Sequence, residues 1–376
     1  MSEGDLRRVD PVWNPPFHAD ARVAWEWDAT KGGAGGLRVE GASYRGVPVY
    51  FRVIGPWEKP AESGVDETTT GRRIARVAGL SIFLGVLTGG FLLARRNIRL
   101  GRSDLRGAFR IAGVIVPLHM LAWLLYAKHA GEFGDIVLAF ISTLAVTLFE
   151  GLWIFSLYLA LEPFVRRRWP DTIVWRTRGL AGRFRDPLVG RDILFGCLIG
   201  IALRLWDQLG LQLPGWLGLA PGRPAPIRLH ALAGTRFIFG ELLDSQVHAI
   251  VPPMALLILL LLVSIAVKRT WLAGAVVLAA LTVVGIPGYT YWFDVAGTLV
   301  FFGALLLSLT RLGLLSTTVV FAVYSALERT LFTTDLAAWY ASGEIVSLLW
   351  TMALAGIGFY VALAGRPVLG TGWLAD

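Results

Sequence analysis

Five ionisable side chains sit within or beside long apolar runs, where a charge is costly and marks a functional candidate by default. His119 lies near the middle of one run and Glu150 near the middle of the next. An imidazole and a carboxylate facing one interior can relay a proton or contact a polar ligand. The plainer reading, which the residues alone favour, is an interhelical hydrogen bond that serves packing. Glu241, Asp244 and His248 follow at i, i+3 and i+7, so one helical face presents two carboxylates and an imidazole, a set that suits a divalent metal or a general base. No HExxH and no second histidine pair accompanies them, so this face is expected to be an exposed interfacial helix end with no metal and no cofactor. Pro252-Pro253 just beyond predicts a kink or break that leaves carbonyls for neighbours to satisfy. Arg204 with Asp207 and Glu328 with Arg329 are expected to pair at the outer boundary, and Asp294 reads as a boundary charge of the same kind.

The elements that must hold these groups follow from composition. With 55% hydrophobic residues in 376 and a mean hydropathy of +0.61, the chain is too apolar for soluble domains and reads as mainly α, a polytopic helical membrane bundle. Nine apolar runs stand out, at 75–94, 109–127, 136–161, 190–206, 247–267, 270–286, 295–310, 312–327 and 345–364. Several fall short of the ~20 residues a helical span needs, so the expected count is about nine with a range of 8–10. Ahead of them, residues 1–71 are polar. Runs at 37–42 and 47–54 flank the turn-prone Ser43-Tyr44-Arg45-Gly46, and Val47, Val49, Phe51 and Val53 alternate as in a half-buried strand. A small β-rich extramembrane segment with a polar tether at 58–71 is expected, leaving 72–376 as the membrane domain. No apolar run precedes Ala75, so targeting is expected to come from the first span and not from a cleaved signal peptide.

Loop charge sets the orientation. Residues 162–192 carry eight Arg, no Lys and four acids, and residues 95–110 carry six Arg and one Asp, whereas the alternate connections are balanced or acidic. Strict alternation requires run 190–206 to span and places the N-terminus outside and the C-terminus in the cytoplasm of a bacterial inner membrane. Arg166, Arg167, Arg168, Arg176, Arg178, Arg183, Arg185 and Arg191 then become cytoplasmic contacts for anionic lipid headgroups or a protein partner. The net charge of +8 is explained by these loops, so nucleic acid is not an expected partner. Gly85-x-x-x-Gly89 and Gly196-x-x-x-Gly200 have helix-packing spacing, a weak signal in a chain with 43 Gly. The lone Cys197 excludes a disulfide pair or a cysteine metal cluster within the chain. Enzyme templates fail: there is no Walker A and no GxSxG, and Gly32-Gly33-Ala34-Gly35-Gly36 lacks the strand and helix of a nucleotide loop. The Glu162 to Arg166 spacing invites comparison with glutamate intramembrane proteases, but the adjacent glutamate pair they need is missing.

The segments ALEPFVRRRWP (160–170) and LAGRFRDPLVGRD (180–192) resemble the membrane region that follows the catalytic domain in a group of bacterial serine/threonine protein kinases. RVEGASYRGVPVYFRVIGPW (38–57), RNIRLGRSDLRGAFR (96–110) and DLAAWYASGE (335–344) resemble it as well. The resemblance implies an extracytoplasmic β-rich segment followed by a multi-span region. It also implies a kinase acting elsewhere, since this chain has no glycine-rich ATP loop, HRD-type loop or DFG. The expectation is a non-catalytic sensory or regulatory membrane module with a kinase or other signalling protein as partner. A transporter or channel using His119 and Glu150 is the alternative, and a metal-dependent membrane enzyme using Glu241, Asp244 and His248 comes third.

Overall fold

The structure, a computed structural model, describes residues 6–13, 15, 18–27, 37–55, 70–127, 131–168, 186–219, 229–285, 291–331, 333–335 and 337–364. It divides into two units, Met1–Arg73 and Ile74–Asp376.

In the first unit β1 (Leu6–Val9), β2 (Ala21–Trp27), β3 (Arg38–Tyr44) and β4 (Val47–Ile54) form one antiparallel sheet in chain order. The expected hairpin joins β3 to β4, and Arg45 and Gly46 take φ angles of 51° and 80°, the two positive values that a tight hairpin turn demands. Glu40 is buried in the sheet and fully engaged: it accepts from the backbone of Val12 and Trp13 at 2.9 Å and from Arg38 Nε at 2.6 Å. The alternating face of β4 is not half-buried as its period implies, since Val47 and Val53 are exposed and Phe51 is 72% exposed. A single-layer sheet leaves one face uncovered among the described residues of this unit; the covered positions are Ala24, Glu40, Ala42 and Ile54.

The second unit is helical. Its described α-helices, the first of which begins just before the unit does, are α1 (Thr70–Arg99), α2 (Leu105–Tyr126), α3 (Phe133–Arg168), α4 (Pro187–Trp216), α5 (Thr235–His248), α6 (Val251–Val267), α7 (Thr270–Gly285), α8 (Trp292–Arg311), α9 (Leu314–Glu328) and α10 (Ala341–Ala362), with a short 3-10 helix at Leu229–Ala233. The nine apolar runs fall largely on helices, the run at 247–267 being divided between α5 and α6. Six helical segments are long and apolar enough to cross a membrane, with Thr235–Val267 (α5 and α6) counted as one; α7 and α9 are apolar but shorter. The outward surface is apolar too: Phe91, Leu138 and Leu152 are exposed, as expected where lipid is the solvent. Around α6, Leu257 and Ile258 are buried against Leu157 of α3, Val277 of α7, Leu305 and Leu309 of α8 and Val320 of α9.

The basic connection is shorter than residues 162–192. Its first turns are helical, because α3 runs through Pro163 to Arg168. Proline removes the donor that would bond the Leu159 carbonyl four residues back, and Asn97 Nδ2 supplies a replacement, donating to the carbonyls of Leu159 and Ala160 at 3.0 Å. Glu162 is buried and accepts from Asp104 N at 2.5 Å, so the ends of α1, α2 and α3 are tied together here. Asp186 caps α4 by accepting from Leu188 N at 3.0 Å, with Pro187 in the first turn. Pro252 and Pro253 occupy the first turn of α6, where a missing N–H costs no helical bond, and the chain breaks between His248 and Val251.

Candidate functional site

Two constellations that are far apart in sequence form one centre. His119 of α2 meets Glu150 of α3, with Nδ1 2.9 Å from Oε2, and meets Asp244 of α5, with Nε2 3.5 Å from Oδ1. His248, in the last turn of α5, reaches the same two carboxylates: its Nε2 is 3.5 Å from Glu150 Oε1 and its Nδ1 is 3.4 Å from Asp244 Oδ1. The two imidazole rings stand edge to face with centroids 5.2 Å apart. Arg329, which caps α9, closes the arrangement from the far side; its Nη1 is 3.0 Å from Glu241 Oε2 and donates to Asp244 Oδ2 as well.

Local sequence explains why these helices approach so closely. A Cβ on Gly151, beside Glu150, would lie 2.8 Å from Val116 Cγ2 of α2. One on Gly240, beside Glu241, would lie 3.0 Å from Tyr126 N, so glycine at these two positions lets α3 and α5 come close to α2. One turn along from the polar groups, Ile115, Ile154 and Val247 pack into an apolar cluster. The centre is therefore polar on one side and sealed by branched aliphatic side chains on the other.

The burial corrects one expectation outright. Glu241 and Asp244 are 4% and 3% exposed and so do not form a solvated helix end; α5 packs its carboxylate face against α2 and α9. Only His248 opens outward, its side chain being 42% exposed. Arg329 does not pair with Glu328 but reaches across to Glu241 and Asp244, because a buried carboxylate pair attracts the guanidinium more strongly than an exposed neighbour on the same helix. Asp207 accepts a hydrogen bond from the Tyr324 hydroxyl of α9, a partner the i, i+3 spacing with Arg204 did not disclose. Asp294 is a capping residue: its carboxylate accepts from Tyr291 N at 2.8 Å at the start of α8.

Arg191 lies on α4 with its guanidinium 3.0 Å from Asp192 Oδ1. Arg166, Arg167 and Arg168 form the last turn of α3, while Arg176, Arg178, Arg183 and Arg185, like the glycine run at 32–36, lie outside the described residues.

The sequence places Arg329 at the outer boundary beside Glu328 and does not disclose its part in this centre. No local signal marks it, since its partners lie 85 and 88 residues away. In chemical terms the centre gathers two imidazoles, three carboxylates and one guanidinium from four helices, which equips it to hold a cation or a small polar ligand. Comparison with protein-family models, with curated proteins and with solved structures finds no match.

Proposed function

We propose that this integral membrane protein is a sensory or regulatory module in which occupancy of the buried centre is passed along α3 to the basic connection beyond it. The observation that carries the reading is that Glu150, in the centre, and Arg166–Arg168 share one uninterrupted helix, Phe133–Arg168. A movement that Glu150 imposes on α3 is carried to the connection past Pro163, where Asn97 braces the helix by bonding the Leu159 and Ala160 carbonyls. The similarity of residues 160–192 to the membrane region of bacterial serine/threonine kinases supports a kinase or other signalling protein as the partner there, alongside anionic lipid headgroups. In this reading the chain spans an inner membrane nine times, with the sheet outside and the C-terminus in the cytoplasm, and it does not bind nucleic acid.

Topology is tested by labelling with a membrane-impermeant maleimide. Cys197, the one native cysteine, is 3% exposed, so background is expected to be low. Val47→Cys should label in intact cells and Arg102→Cys only after permeabilisation; the reverse pattern would invert the orientation. Signalling is tested by trypsin cleavage of inside-out vesicles. Glu150→Gln should change the cleavage rate in residues 169–185 at least twofold, and an unchanged rate together with recovery of no cytosolic partner would end the proposal.

A second reading, transport, is favoured by one observation: the α5–α6 break falls immediately after His248, and interrupted helices line substrate sites in transporters. Ion flux in proteoliposomes that is lost in Glu150→Gln would support it over the sensory reading.

A further inference from the structure

Resting on the reading of this centre as the working site, we propose that it binds one first-row divalent cation of the zinc class, with His119 Nδ1, Glu150 and His248 Nε2 as ligands. Asp244 is the outer carboxylate that orients both imidazoles.

The donor spacing fits. The three side chains offer ligand atoms that all lie within 4.8 Å of one another. Two bonds of about 2.0–2.1 Å at a tetrahedral metal put their donor atoms about 3.3 Å apart. Glu150 turns one oxygen to each ring, with Oε2 2.9 Å from His119 Nδ1 and Oε1 3.5 Å from His248 Nε2, and these distances lie on either side of that value.

The tautomers fit as well. A neutral imidazole carries one N–H and one lone pair. His248 Nδ1 lies 2.9 Å from the Asp244 backbone oxygen, which can only accept, so in the neutral ring the N–H is on Nδ1 and the lone pair is on Nε2, the nitrogen nearer Glu150. His119 turns Nε2 toward Asp244 Oδ1 and Nδ1 toward Glu150, so each ring offers one nitrogen to each carboxylate. A histidine that binds metal through one nitrogen and donates from the other to a carboxylate or carbonyl is the usual outer arrangement of such sites. His119 Nδ1 is buried and 2.9 Å from Glu150 Oε2, a separation at which either a shared proton or one metal ion holds the two atoms together.

The donor types point to the metal class. Imidazole donors select zinc-class metals over magnesium and calcium, which prefer all-oxygen sites. The exposed side of His248 leaves room for a fourth ligand such as water.

The test uses the full chain with a histidine-free affinity tag, purified in detergent, stripped with chelator and reloaded with Zn2+ or Co2+. Expected are one metal per chain by elemental analysis and a visible Co2+ absorption of tetrahedral type. His248→Ala, at the exposed edge, should abolish the Co2+ band while keeping the wild-type elution profile and melting curve. Asp244→Asn should weaken binding about 10–100-fold. Asp207→Asn, outside the centre and bonded by Tyr324, should retain the Co2+ band. No stoichiometric metal in the wild type, an undiminished band in His248→Ala, or equal retention of Mg2+ would each overturn the proposal; the first would leave a metal-free network of protonated imidazoles. The sensory reading is judged separately by the vesicle cleavage assay. Metal bound with no cleavage response sinks that reading alone, and a response without metal sinks this one alone.

Discussion

Arg329→Met is expected to destabilise the protein in detergent by about 3–5 kcal/mol, the range for removing one partner from a buried ion pair. Arg329 is the only described cation within ion-pair distance of Glu241, and it also bonds Asp244. The side chains of both acids are 5% exposed, so water cannot replace the lost guanidinium without opening the α5–α9 contact. The loss comes from leaving buried charge uncompensated, not from the worth of the contact itself. The triple variant Arg329→Met, Glu241→Gln, Asp244→Asn should accordingly recover most of the stability, because neutral amides in the same shapes carry no net charge to desolvate. Thermal unfolding followed by size-exclusion reads both. An Arg329→Met protein that melts with the wild type would show that the centre is solvated and would remove the ground for a buried site. Arg329→Lys is expected to recover only part of the loss, since one ammonium cannot reproduce the planar fork that meets two carboxylates.

The second large effect is steric. Gly190→Leu is expected to cost about 3 kcal/mol, the upper end for forcing atoms into a packed contact. At this crossing of α4 and α10 even a Cβ would lie 2.2 Å from Ala362 N and 2.5 Å from the Gly358 oxygen. Both are backbone atoms, so no side chain can rotate away and α10 must move. Gly356→Leu on α10 is the control. No atom lies within 4 Å of its Cβ position, and leucine is the better helix former, so its melting temperature should equal or exceed that of the wild type. If the two variants melt alike, the α4–α10 packing described here is wrong.

Glycine pairs at equal spacing show where local sequence stops being informative. Gly85-x-x-x-Gly89 and Gly196-x-x-x-Gly200 have the same spacing, yet the second pair lies against the Ser316 and Val320 carbonyls of α9 while Gly85 faces open space. Spacing shows that two glycines share a helix face. It carries no information about what that face meets. The alternation in β4 behaves likewise: the strand is there, but whether Phe51 is covered depends on a layer that the period cannot announce.

The local consequences of composition were legible. Apolar runs became helices because a chain in lipid must satisfy its backbone within each segment, and Arg45-Gly46 turned because the intervening pair tolerates positive φ. His119, Glu150, Asp244 and His248 were recognisable one by one, since an ionisable group in an apolar run is conspicuous wherever it occurs. Tertiary structure decided that they form one centre, that Arg329 belongs to it, and that Glu241 and Asp244 are buried. Hydropathy and periodicity are sums over neighbours in the chain, whereas the rotation and partners of each helix come from side-chain packing at crossings such as Gly151–Val116 and Gly240–Tyr126, which join residues 35 and 114 positions apart.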